Sequence, residues 1–195
     1  MTIPTTESVY RELSRCLETP LAEMNMERVH QVAYPAWRSQ PDGDGLAVFY
    51  SLQVDAKATD PFAGAEFRTE VEQSKQALPG RGLNGRAFFF QLLTTEELRV
   101  LLARQNEVIN SLPKPPRSHI EQYPEGLVRK TYLGYFERQV SFDAVNCWLR
   151  YYTDADVCVW SELLGSLVSP LVKRAASILH PDERYLGRGF LLTAS

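Results

Sequence analysis

The chain has 195 residues, 44% of them hydrophobic and 23% charged, and a formal net charge of −3 at neutral pH. This mixture excludes disordered and fibrous classes and is long enough to bury a core without disulfides. The slight acidity argues against a nucleic-acid binder that works through a broad basic footprint.

Cys16, Cys147 and Cys158 are odd in number, far apart and free of CxxC spacing, which predicts buried thiols in a reducing compartment and no zinc site. The first residues lack the basic lead and apolar run of a secretory signal, and no segment approaches ~18 uninterrupted apolar residues. A soluble, cytoplasmic protein with no membrane association is expected. No internal repeat or low-complexity tract is present, so residues 1–195 read as one domain, with loose tails at 1–5 and 187–195.

Val9, Leu13, Leu17, Leu21 and Met24 keep a helical stripe over residues 6–24 after Thr5 and Thr6, and Pro20 either ends that helix near Thr19 or kinks it. Residues 28–37 read as a strand, with Pro35 placing it at a sheet edge because proline has no N–H for a central ladder. Pro41, Asp42, Gly43, Asp44 and Gly45 supply a reversal, after which residues 46–55 alternate. Val48, Tyr50, Leu52 and Val54 share one face, opposite Ala47, Phe49, Ser51, Gln53 and Asp55. A turn over 59–64 leads to a third strand over 65–75, with Phe67, Thr69 and Val71 inward and Glu66, Arg68, Glu70 and Glu72 on a solvated face.

Residues 78–85 read as a loop, and 86–93 are too short to classify, leaning to helix. Thr94 and Glu97 have the spacing of a capping box ahead of an amphipathic helix through Leu112. Residues 113–116 are proline-rich and extended, and short helices are expected around 120–123 and 127–136. The strongest signal lies at 145–164. Two rows alternate to Tyr152, and Thr153 with Asp156 then starts a helix on the stripe Val157, Trp160, Leu163, Leu164, Leu167 and Val168. Pro170 is expected to kink the chain before 171–179. The assembled fold class is α+β: a mostly antiparallel sheet of about four strands, covered on one face by helices in a two-layer sandwich.

No phosphate loop, dinucleotide fingerprint or hydrolase motif is present, and nothing implies a cofactor. Trp148, Arg150 and Tyr152 share one side of a strand and are residue types enriched at binding hot spots. They are the candidate binding surface of a non-enzymatic protein-binding or assembly module, with the edge near 32–37 as a second surface for a protein partner or for self-association. The alternative is a metal-dependent hydrolase or nuclease-like enzyme built on Asp55, Asp60, Glu70 and Glu72, since hard cations need converging carboxylates. His30, His119 and His180 lie in separate segments without metal-ligand spacing.

Overall fold

The computed structural model describes residues 2–80, 84–122 and 148–185. Its elements, in order, are α1 (Thr6–Glu23), β1 (Met26–Arg28), β2 (Ala36–Ser39), β3 (Ala47–Asp60), β4 (Gly64–Ser74), β5 (Arg86–Phe88), a 3-10 turn (Phe89–Leu92), α2 (Thr95–Ser111), α3 (Arg117–Glu121), β6 (Leu149–Tyr151) and α4 (Asp154–Ile178). The strands form one antiparallel sheet, ordered β1-β2-β3-β4-β5, with β6 also on β4. β5 pairs with β4 at Glu70 to Glu72 and β6 pairs with it at Ala65 to Phe67, so two short strands share the edge of one long one. The α+β class and the antiparallel sheet are as the sequence predicts, with six strands among the described residues where about four were expected.

One face of the sheet carries the apolar row Val48, Tyr50 and Leu52 of β3, beside Phe67, Thr69 and Val71 of β4. α1 and α4 lie on this face and bury Val9, Leu13, Leu17 and Leu21 from one helix, and Val157, Trp160, Leu164, Val168 and Leu171 from the other. The two helices meet closely. Pro20 has no N–H for the Cys16 carbonyl, yet α1 runs on to Glu23 without ending, because the tertiary contact holds the ladder on both sides of the gap. That carbonyl faces α4 at Gly165, where a Cβ would stand 3.2 Å from it. α4 is continuous through Pro170 as well. By length and composition α4 could cross a membrane, and in this fold its apolar stripe is buried against the sheet and α1.

Caps form where local spacing places them. The Thr94 hydroxyl accepts the N–H of Glu97 while Glu97 accepts that of Thr94, and Thr153 and Asp156 repeat the exchange at the start of α4. In the β2–β3 reversal the Asp42 carboxylate accepts the N–H groups of Asp44 and Leu46, with Gly45 at φ +77°. The outer edge of β6 is closed by Gln105 of α2, which accepts the Arg150 N–H at 3.1 Å and donates to the Trp148 carbonyl. A buried side-chain amide thus takes the place of a further strand.

Four expectations need correction. The thiols expected to be buried are not: Cys16 is half-buried and Cys158 exposed, while Cys147 lies outside the described residues. The strand expected over 28–37 is broken into β1 and β2 by bends, and β2 lies between β1 and β3, not at the edge. Pro35 sits just before β2, so its missing N–H is never asked of the ladder, while its carbonyl accepts the Leu52 N–H. Residues 86–93 are a short strand followed by a 3-10 turn. The face carrying Glu66, Glu70 and Glu72 is not solvated, since these residues are 7%, 3% and 7% exposed. The calls at 127–136 and 145–147 lie outside the described residues.

Candidate functional site

The second sheet face is a ladder of buried charge. Gln53 accepts two hydrogen bonds from Arg68, its register partner on β4. Arg68 pairs with Glu70 at 2.9 Å, and Arg86 of β5 then bridges Glu70 at 3.3 Å and Glu72 at 2.8 Å. Glu72 accepts the Gly80 N–H on both oxygens, and Arg86 donates to the Gly80 carbonyl. Arg68 is also flanked by the rings of Trp148 at 4.5 Å and Phe88 at 5.5 Å. Alternating sign lets each desolvated charge meet its opposite, which offsets part of the penalty of burial.

At the β6 end, Arg150 donates to Glu66 at 3.0 Å and to the Ala63 carbonyl at 2.6 Å, while its own carbonyl accepts the Trp160 indole N–H at 2.6 Å. Burial pushes the Glu66 carboxyl up; Arg150 opposes that rise and Asp55 adds to it. Of the expected binding trio, Arg150 is 4% exposed and turned into the protein, while Trp148 and Tyr152 are half-buried. Trp148 and Tyr152 stand two residues to either side of the arginine of this internal ion pair.

The four acidic candidates are placed apart in function. Glu70 and Glu72 belong to the ladder. Asp55 lies opposite Glu66 on the sheet. Asp60 closes the β3–β4 turn, accepting the N–H groups of Phe62 and Ala63 on one oxygen and meeting His119 at 2.9 Å on the other. The His119 ring packs on Phe62 with centroids 4.6 Å apart. Among the described residues no three His, Cys, Asp or Glu side chains are grouped to hold a metal ion.

Sequence reasoning did not find a cleft of about 440 Å³ beside β3, lined by Tyr10, Ala33, Tyr34, Gln53, Val54, Gly80 and Arg86. It opens where β2 stops. The last β3 donor met by the preceding chain is Leu52 N–H, which goes to the Pro35 carbonyl. The next donor on that side, Val54 N–H, goes to the hydroxyl of Tyr10 from α1 at 3.1 Å. Past Leu52 no described strand runs along this side of β3, although β3 continues to Asp60. The cleft therefore combines a long strand's main chain, two tyrosines, an amide and a guanidinium. Such a wall can hydrogen-bond an extended backbone and pack its side chains.

No protein-family model, curated protein or solved structure matches the chain.

Proposed function

We propose that this chain is a non-enzymatic, cytoplasmic binding module that takes an extended segment of a partner protein along the outer side of β3, beyond the end of β2. The reading rests on one observation: β3 outruns β2, and its next main-chain donor, Val54 N–H, is served by a tyrosine hydroxyl at the mouth of a cleft. A side-chain hydroxyl can be exchanged for the carbonyl of an incoming strand at little cost, because one hydrogen bond replaces another. Tyr10 and Tyr34 supply rigid, amphipathic walls of the kind enriched at protein contacts. The buried charge ladder makes the floor stiff, so the strand needs no reordering to accept a partner.

The test is recovery of a partner from native lysate by tagged wild type and by Val54→Pro, which removes the N–H facing the cleft and not the ladder to β4. A partner recovered by wild type and lost with a folded Val54→Pro supports the reading. Equal recovery by both, or none by wild type, overturns it. Tyr10→Phe, which leaves Val54 N–H available, should retain the partner. Light scattering of the purified protein shows whether that partner is a second copy paired edge to edge.

A further inference from the structure

A second cleft, of about 480 Å³, runs along α1 and is lined by Glu7, Tyr10, Arg11, Ser14, Arg15, Glu18 and Arg28. Arg28, the last residue of β1, places its guanidinium carbon over the buried indole of Trp37, 4.4 Å from the ring centroid, and donates to the Ser14 hydroxyl at 3.3 Å. Those contacts fix the guanidinium without neutralising it: among the described residues Arg28 makes no ion pair, and Glu18 is near enough only to favour its charge. Burial works against that charge. Arg11 stands on α1 one turn from Ser14 and likewise makes no ion pair among the described residues, whereas Arg15 is tied to Glu12 at 2.7 Å.

We propose that the cleft between α1 and β1 binds a phosphate-type oxyanion through Arg28 and Arg11. A guanidinium held on an aromatic platform keeps its remaining N–H fork aimed in one direction, which suits paired hydrogen bonds to an oxyanion better than a mobile surface cation would. Arg28 is the fixed fork and Arg11, exposed on α1, adds a second positive charge to the same cleft, which together suit a dianion; Glu7 and Glu18 also line the cleft and disfavour a large anion there. This site shares only Tyr10 with the cleft at β3 and stands whether or not that cleft binds a partner.

The experiment follows arginine side-chain Nε–H resonances of the full chain while inorganic phosphate replaces chloride at constant ionic strength. Saturable movement of the Arg28 and Arg11 signals is expected at or below about 10 mM. Binding should weaken about tenfold or more in Arg28→Gln and fall in the surface variant Arg11→Gln, while Arg99→Gln on α2 leaves it unchanged. Unsaturable drift, or a curve in Arg28→Gln and Arg11→Gln unchanged from wild type, overturns the proposal. A phosphoserine peptide titrated in parallel identifies the source. Tighter binding than phosphate places the anion on a partner chain, and equal or weaker binding points to a free small phosphate; either supports the site.

Discussion

The hydroxyl of Tyr10 accepts the N–H of Val54 at 3.1 Å, so a helix side chain completes the edge of β3 where β2 has ended. Removing that hydroxyl strands the donor but leaves the ring in place. Tyr10→Phe is expected to cost about 1 kcal/mol in urea unfolding and to speed exchange of the Val54 amide selectively, leaving Leu52, bonded to the Pro35 carbonyl, unchanged. Uniform acceleration along β3 would mean that the hydroxyl holds the whole strand and not one donor.

Arg174 of α4 grips Glu97 with both terminal nitrogens, at 2.6 and 2.7 Å, and also donates to the Leu92 carbonyl. These bonds, with the Thr94 N–H and hydroxyl, hold the Glu97 carboxyl at about 2, below its ordinary 4.5. A depressed carboxyl stabilises the fold above its unfolded value and loses that contribution as pH falls from about 4.5 through about 2. Glu97→Gln should therefore cost on the order of 1–3 kcal/mol at neutral pH. The gap to wild type should close across that acid window in pH-dependent denaturant titrations. A gap that stays constant to the acid end would contradict the assignment.

Arg150 and Glu66 make the opposite case, because burial raises the carboxyl. Burial of the Glu66 carboxyl taken by itself favours the fold below the unfolded value, and that stability declines as pH rises through the raised one, where Arg150 offsets the cost of the buried charge. Arg150→Met leaves a buried carboxylate without its guanidinium and is expected to cost roughly 3–5 kcal/mol. That cost should be smaller at about pH 5 than at about pH 8, since Glu66 can then take up a proton. Adding Glu66→Leu should recover a large part of it. A double variant no more stable than the single one would show that the arginine acts through its bond to the Ala63 carbonyl instead.

Gly64 opens β4 at φ +75°, and a Cβ there would stand 2.5 Å from the Tyr151 carbonyl of β6. Gly45 has nearly the same φ, +77°, with nothing within 4 Å. Gly45→Ala is expected to cost about 1–2 kcal/mol, the conformational strain alone, and Gly64→Ala clearly more. Equal losses in calorimetry would mean that β6 can move away from β4 freely.

Cys158 is exposed on α4, but its thiol is pushed up by partial desolvation and by the neighbouring Glu12 carboxylate. Less thiolate means slower alkylation. Peptide mapping after brief iodoacetamide treatment should show faster labelling of Cys158 in Glu12→Gln than in wild type. No change would remove Glu12 as a cause.

Much of the architecture is written in local patterns. The Thr94–Glu97 and Thr153–Asp156 exchanges need only residues three apart, and the alternation of β3 needs only its own strand, so both can be read along the chain. The charged row of β4 misleads because alternation reports that two faces differ, not that one is wet. Arg68 among three glutamates, opposite Gln53, was the available sign of a self-paired face. Pro35 reads as an edge signal only if a strand contains it, and the strand begins one residue later. The β3 cleft could not be read at all. Its walls come from residues 10, 33–34, 53–54, 80 and 86, and nothing local joins them.

The most direct measurement of the β3 reading is site-specific photocrosslinking in native lysate, with a photoreactive residue at Tyr34 in the cleft and, as control, at the exposed Val100 of α2. A discrete crosslinked species at position 34, absent at position 100 and suppressed by excess unlabelled protein but not by its Val54→Pro variant, is the result predicted. No discrete species at position 34, or the same species from both positions, would contradict a docking strand at β3.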